Sequence, residues 1–89
     1  MSGSIDELKK QALLVADAQD QLTKDFSNFA GELEKDANKI EGVLGSHNTR
    51  DRVVAAIRTA SQAVKSAAES CNKSATASRE YVALHFGGQ

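Results

Sequence analysis

Large apolar residues recur along the first half of the chain at alternating steps of three and four positions. Steps of this kind place residues on one side of an α-helix, as the a and d positions of a seven-residue repeat. The pattern predicts one long helix over about residues 4–41. The a and d residues are Ile5, Leu8, Ala12, Val15, Leu22, Phe26, Phe29, Leu33, Ile40 and Val43.

Two polar residues, Gln19 and Asp36, interrupt this apolar stripe. A polar residue in a helix seam commonly fixes the register of two helices at a cost in stability. We expect Asp36 to lean away from the seam, because the neighbouring Ala37 can take its place. At the start of the helix, Ser4 and Glu7 have the spacing of a capping box, in which both side chains accept hydrogen bonds from free backbone amides.

The same repeat continues in the second half with smaller side chains, and it predicts a second helix over about residues 50–86. We expect Phe26, Phe29 and Leu33 of the first helix to fill the space left by small residues such as Ala67. The a and d residues of the second helix are Val53, Ile57, Ala60, Val64, Ala67, Cys71, Ser74, Ser78, Tyr81 and His85.

A turn is predicted between the helices, over about residues 42–49. Gly42 and Gly45 can take the positive φ that a helix C-cap requires. Each glycine also costs up to about 1 kcal/mol inside a helix relative to alanine. Asn48 or Thr49 can then cap the second helix through its side-chain oxygen.

Two helices of nearly equal length around a short turn predict an all-α fold, an antiparallel two-helix hairpin. The 89 residues form a single domain, 1–89, with arms of about 50–55 Å at 1.5 Å per residue. Asp51 falls in the first turn of the second helix, where the helix dipole favours an acid. Aromatic residues are only 4% of the chain, so the core is built mainly from alanine and aliphatic side chains.

The two halves of the chain carry opposite charge. Residues 1–41 contain nine acids and five lysines, and residues 42–89 contain six bases and three acids. We expect the arms to attract each other, although an exposed ion pair contributes only about 0–1 kcal/mol. The whole chain has a net charge of −1, which provides no overall attraction to nucleic acid or to an anionic membrane.

Candidate catalytic or metal-binding groups are few and lie far apart. His47 falls in the predicted turn and His85 near the end of the second helix, so the two cannot share a metal within one hairpin. Cys71 is the single cysteine; we expect it to be a small buried hydrophobe rather than part of a disulfide. No phosphate loop, nucleophile elbow or Cys-x-x-Cys occurs. We therefore expect no enzyme, no cofactor and no metal.

The sequence predicts neither a signal peptide nor a transmembrane helix. No apolar run follows basic residues at the N-terminus, and no stretch approaches 18 apolar residues. We expect a cytoplasmic protein with no membrane insertion. If it is secreted, it leaves the cell without a cleaved leader.

Some large apolar residues lie outside the predicted seam, and we expect them to form a partner surface. Another helical protein or a second copy would complete a four-helix bundle on this surface. A stable isolated hairpin is the alternative. The off-seam residues are Leu13, Leu14, Val54, Leu84 and Phe86.

In length and architecture the predicted hairpin resembles the small helical proteins of type VII secretion, namely the WXG-type proteins and the small proteins that accompany LXG toxins. That family carries Trp-x-Gly in its turn. The nearest equivalent here is Val43-Leu44-Gly45, which keeps the glycine and has valine in place of tryptophan. The family's export signal is Tyr-x-x-x-Asp/Glu after the second helix; here Tyr81 is followed four positions later by His85, so the acid is missing.

The resemblance implies a non-catalytic targeting factor that binds a helical partner, such as the N-terminal region of a secreted toxin, and prepares it for export. Val43, Leu44, Gly45 and Tyr81 would then contact the partner or the secretion machinery. The sequence leaves two other functions open. One is a self-assembling helical bundle or filament subunit. The other is an inhibitor or immunity-type protein whose acidic first arm masks a basic target.

Overall fold

The chain folds into two long α-helices in a computed structural model, which describes residues 2–43 and 48–86. Helix α1 spans Ser2–Val43 and helix α2 spans Asn48–Phe86. The molecule measures 67 × 15 × 14 Å, so it is a rod of two helices lying side by side. The length exceeds the predicted 50–55 Å, and part of the difference arises because each helix is a few residues longer than the sequence pattern indicates.

The two helices run antiparallel, as contacts at the two ends of the rod show. Arg79, near the end of α2, forms an ion pair with Asp17, near the start of α1, at 2.8 Å. Arg58, near the start of α2, forms an ion pair with Glu41, near the end of α1, at 3.0 Å. The predicted all-α antiparallel hairpin is confirmed.

The start of α1 differs from the prediction. The helix begins at Ser2, so Ser4 lies inside it and the capping box predicted for Ser4 and Glu7 is wrong. Glu7 instead accepts a hydrogen bond of 3.0 Å from the side-chain amide of Gln11, one turn further along. The residues before Ser4 continue the helical backbone, and this removes the free helix end that a capping box would satisfy.

The end of α1 also lies further along than predicted. The helix continues through Gly42 to Val43, and Gly42 keeps a helical backbone rather than a positive φ. The prediction that Gly42 ends the helix is therefore wrong. Its cost of about 1 kcal/mol is small beside the contacts of a 42-residue helix. Leu44, Gly45 and His47 lie outside the described residues.

Helix α2 begins at Asn48 rather than at about residue 50, so Asn48 and Thr49, the predicted caps, lie within it; Asp51 is in its first turn, as predicted. The neighbouring Arg50 links the two helices at this end of the rod, because its Nη1 donates to the backbone carbonyl of Glu41 at 3.0 Å. Carbonyl groups in the last turn of a helix have no partner within the helix. Arg50 therefore satisfies one of the free carbonyls of α1.

The hairpin core is a seam of small side chains that recur every seven residues. Across this seam the Ser61 hydroxyl donates to the backbone carbonyl of Ala30 at 3.2 Å, and the Thr23 hydroxyl lies 3.5 Å from the carbonyl of Ala68. Contacts from a short side chain to the opposite backbone require that the two helices lie close together. The buried residues are Ala16, Ala30 and Ala37 of α1 and Val54, Ser61, Ala68, Ala75 and Val82 of α2.

These two contacts define the register of the hairpin. From Thr23 to Ala30 the chain advances seven residues in α1, and from Ala68 to Ser61 it goes back seven in α2. The same step brings Ala37 opposite Val54, and the reverse step brings Ala16 opposite Ala75. Each of these four layers thus contains at least one alanine or hydroxyl residue.

The observed seam is displaced by one position from the predicted a and d stripe. Each buried residue follows a d residue, so the d side chains point out of the hairpin instead of into it. Phe29 is 54% exposed and does not fill the space beside the small residues of α2, whereas Phe26 and Leu33 are half-buried. Large side chains do not fit between two backbones that approach this closely.

Two other predictions about individual residues have clear outcomes. Asp36 is exposed while Ala37 is fully buried, as expected from their positions. Cys71 is half-buried rather than buried, because it lies at the edge of the seam. Neither of the two described helices is long and apolar enough to cross a membrane.

A seam built on close approach predicts that a larger side chain at its centre destabilises the hairpin. Ala75 is fully buried, so we expect Ala75→Leu to lower the free energy of unfolding by about 1–3 kcal/mol through overpacking. The matched control is Ala55→Leu, at an exposed position of the same helix, where a change within about 0.5 kcal/mol is expected. Urea unfolding followed by circular dichroism measures both, and equal effects would contradict the small-residue seam.

Candidate partner-binding face

The hairpin has two unlike faces, and the geometry of its seam determines which residues belong to each. Both helices pack through the same position of the seven-residue repeat. Two antiparallel helices packed in this way are related by a two-fold axis that passes through the seam, perpendicular to the plane that contains both helices. Equivalent positions therefore lie on the same side of the hairpin, and the a and d residues of both helices fall on one face.

We call this side the apolar face. It includes a row of exposed large side chains on α1, and the exposed residues Val53 and Tyr81 near the two ends of α2. Between those ends the d positions of α2 carry small residues, Ala60, Ala67 and Ser74, and Ile57 and Val64 are half-buried beside them. The exposed row on α1 consists of Leu8, Val15, Leu22 and Phe29, with Ala12, Phe26 and Leu33 half-buried beside it.

We call the opposite side the polar face, because the ion pairs between the helices lie on it. Arg79 contacts two acids of α1, Asp17 at 2.8 Å and Asp20 at 2.6 Å. Its hydrogen bond to Asp20 holds the pKa of that carboxyl below its usual range, and the positive charge adds to the effect. This confirms the prediction that the acidic arm and the basic arm attract each other.

Arg58 makes the equivalent contacts towards the other end of the polar face. It bonds Glu41 at 3.0 Å and Asn38 at 3.1 Å, and it lies 3.9 Å from Glu34. The hydrogen bond from Arg58, followed by its charge, lowers the pKa of Glu41. These pairs are solvent-exposed, so each contributes little to stability, but all of them join α1 to α2.

One polar contact lies on the apolar face. The Gln19 side-chain amide donates to the Ser74 hydroxyl at 2.7 Å. Gln19 Oε1 is buried and lacks a hydrogen-bond partner among the described residues. Turning the amide over would satisfy Oε1 with the Ser74 hydroxyl but leave the amide nitrogen without a partner. The hairpin alone therefore leaves one end of the Gln19 amide unsatisfied.

The end of the apolar face far from the inter-helix connection carries an aromatic cluster. The Tyr81 ring lies 4.3 Å from the His85 ring and 6.3 Å from the Phe86 ring, measured between ring centroids. Tyr81 also lines a shallow groove with Ala12, Ser74 and two small residues of α2. His85 is in the last turn of α2, where the helix dipole favours a positive charge.

The nine residues predicted to contact a partner lie in different parts of the structure. Tyr81 lies on the apolar face, and Leu84, which is 84% exposed, lies at its outer edge. Val54 is corrected: it is 4% exposed and occupies the centre of the seam, because the seam is displaced by one position. Leu44 and Gly45 lie outside the described residues, and the structure describes the backbone but not the side chain of Val43.

The remaining three residues lie away from the apolar face. Leu13 and Phe86 are half-buried on the polar side of the seam. Leu14 is 51% exposed and points outward beyond that side. Leu13 and Leu14 do not share a surface with Tyr81, whereas the Phe86 ring reaches the Tyr81 ring at the end of the rod, so the nine predicted residues do not form one binding site.

The sequence interpretation missed the exposed row Leu8, Val15, Leu22 and Phe29 because it placed those residues inside the hairpin. A signal for their true position exists in the sequence. Alanine, serine or threonine follows three of the four large residues directly, and these small residues repeat every seven positions. In a closely packed pair the smallest repeated residue marks the seam, and the larger neighbour lies outside it.

Within residues 2–43 and 48–86, no group of three or more His, Cys, Asp or Glu side chains could hold a metal ion. The grooves on the rod are shallow, and one on the polar face is lined by Thr23, Lys65, Glu69 and neighbouring residues. Among the described residues, the exposed apolar face is the candidate binding surface.

No protein-family model matches this chain, and the comparisons with curated proteins and with solved structures returned no significant match.

The ion pairs of the polar face predict a specific dependence on pH. A carboxyl whose pKa is lowered on folding stabilises the hairpin above its unfolded pKa, and this stabilisation is lost as pH falls through the folded value. We expect Asp20→Asn to lower the urea midpoint at pH 7, with the difference from the native chain shrinking as the carboxyls protonate. Circular dichroism at a series of pH values measures the difference.

The control for this experiment is Glu69→Gln, since Glu69 forms no ion pair with any described residue. It should have the same midpoint as the native chain throughout the series. A difference for Asp20→Asn that stayed constant down to pH 2 would show that its cause is not the charge of Asp20.

Proposed function

We propose that this chain is a non-catalytic helical binding protein that docks its apolar face on the helices of a partner, and that it acts as a targeting factor in type VII secretion. The observation that carries the proposal is the row of large side chains that stays exposed after the hairpin has closed. Contiguous exposed apolar surface on a small protein marks an interaction site. Two further helices packed on it would form a four-helix bundle.

The dimensions of the face fit such an interface. A surface 67 Å long and 15 Å wide offers on the order of 1,000 Å², and a stable protein interface buries about 800 Å² on each partner. The charged contacts of Arg58 and Arg79 lie on the opposite face and can stay in water when a partner binds. Docking through the apolar face would cover one charged d residue of α1, Asp36, which is exposed at the connected end of the row.

The type VII part of the proposal rests on the resemblance of the hairpin to that family, and on Tyr81. The tyrosine is exposed on the apolar face, near the end of α2, where the family carries its export signal. In the proposed complex Tyr81 would lie beside the partner helices. The missing acid four residues after it would then come from the partner.

The other two functions agree less well with the surface. A filament subunit needs two different contact surfaces, so that each copy binds one neighbour on each side, whereas the described residues form one apolar face. An inhibitor that masks a basic target needs free acids on α1. Four of those acids already contact Arg58 or Arg79: Asp17, Asp20, Glu34 and Glu41.

A matched pair of leucines tests the proposal. Leu22 and Leu14 have similar exposure, 44% and 51%, but only Leu22 lies on the apolar face. In the native host, we expect the tagged chain to capture a helical protein that is itself secreted. Leu22→Ser should abolish that capture and reduce secretion of the captured protein, while Leu14→Ser should preserve both.

The readouts are mass spectrometry of the captured chain and its amount in the culture medium. Circular dichroism of both variants checks that each hairpin still folds, which their exposed positions favour. Equal loss in Leu14→Ser and Leu22→Ser would count against the apolar face. Capture with unchanged secretion would count against the targeting role.

A further inference from the structure

We infer that a second copy of this chain occupies the apolar face, with the connected ends of both hairpins at the same end of the bundle. Each α1 would then lie against α2 of the other copy, around a two-fold axis parallel to the rod. The inference rests on the docking face of the proposed function: in the chain alone the second copy covers this face, and a secreted helical partner would replace it on binding. Three independent features of the face support this arrangement.

The first feature is the unequal size of the side chains on the two halves of the face. Helix α1 presents large residues such as Leu22 and Phe29, which are exposed. Helix α2 presents small residues such as Ala60 and Ala67 over the middle of its length. When α1 of one copy lies on α2 of the other, large side chains meet small ones over the middle of the contact. In the opposite orientation α1 meets α1, and large side chains would face each other.

The second feature is charge. The first 41 residues have five lysines against nine acids, a net of −4, and the rest have six bases against three acids, a net of +3. With the connected ends together, every helix has neighbours of opposite sign within its own hairpin and across the interface. With the connected ends apart, α1 would lie beside α1 and like charges would be adjacent. Complementary charge favours the first orientation.

The third feature is the unsatisfied amide of Gln19. A two-fold axis parallel to the rod keeps equivalent residues at the same height. The Gln19 and Ser74 pair of one copy therefore meets the same pair of the other. Each amide and each hydroxyl can both donate and accept, so rotation of the Gln19 amide towards the other copy would let the four side chains satisfy the group that is buried without a partner in a single hairpin. Buried polar layers of this kind fix the register of helical bundles.

The opposite orientation gives Gln19 no such partner. Gln19 lies a few residues from the middle of α1, which spans Ser2–Val43, so full overlap of two oppositely directed hairpins would place it several residues away from its own equivalent. The side chains near that height on the other copy include Phe26 and Phe29 of α1. An amide buried against phenylalanine costs free energy because its hydrogen-bonding group remains unmatched.

Sedimentation equilibrium over a concentration series tests the occupant. We expect the purified chain to form a dimer and no larger species, because the two apolar faces cover each other. Phe29→Ser and Leu22→Ser should each weaken the dimer by roughly tenfold or more, as expected for large apolar side chains at an interface. Leu14→Ser, on the other side of the hairpin, should leave the dissociation constant unchanged.

Distances between spin labels test the orientation. Arg52, exposed near the start of α2 and forming no ion pair with any described residue, is changed to cysteine in a Cys71→Ser background and labelled. With the connected ends together, two labels in the dimer should lie roughly 30 Å apart, a distance set by the width of four helices. With the ends apart, the rise along the helices separates them by roughly 50 Å. Double electron–electron resonance distinguishes the two.

Each result supports or overturns the inference. A dimer with the short distance that Leu22→Ser dissociates supports it. A monomer at every concentration, growth beyond a dimer, the long distance, or a dimer that survives both apolar-face substitutions overturns it. A monomer that still captures a secreted partner through Leu22 would overturn this inference alone. A dimer with the short distance and no captured partner would instead overturn the proposed function alone.

Discussion

The close approach of two helix backbones is the constraint on which this structure depends. A residue no larger than valine occupies each described buried position, and at two layers a hydroxyl side chain reaches the backbone carbonyl of the opposite helix. Little apolar area is buried by such small residues. The hairpin compensates through length, since the seam repeats over 42 residues of α1 and 39 of α2.

The two unlike faces follow from this constraint. Because the seam excludes large side chains, the leucines, valines and phenylalanines of the d positions lie on one side of it. The long arginines, which can reach across the outside of the seam, contact α1 on the other side. The hairpin therefore has a polar face that can remain in water and an apolar face on which further helices can pack. On the apolar side, the Gln19 amide and the Ser74 hydroxyl form a polar contact between the helices.

Much of the fold could be predicted from the sequence, because apolar periodicity is a property of the chain itself. The two helices, their antiparallel packing and the attraction between the acidic and basic arms all follow from patterns of residues. The location of the seam could not be derived in the same way. The a and d pattern shows that one side of each helix is apolar, but two helices can bury only part of that side, and alanines such as Ala30 and Ala75 compete for the contact with larger neighbours. Val54 was assigned to the wrong surface for this reason, and Phe29 to the core.

The regular spacing of the seam has a consequence for how the hairpin aligns. Sliding one helix past the other by seven residues, about 10 Å, would again place small residues opposite small residues, for example Ala30 opposite Ala68. Such a slipped state would keep most of the backbone contact but would separate Arg79 from Asp17 and Asp20, and Arg58 from Glu41. Exposed ion pairs that contribute little to overall stability thus distinguish one alignment from its nearest competitor. These ion pairs therefore specify one alignment of the two helices, although the repeat of the seam would allow more than one.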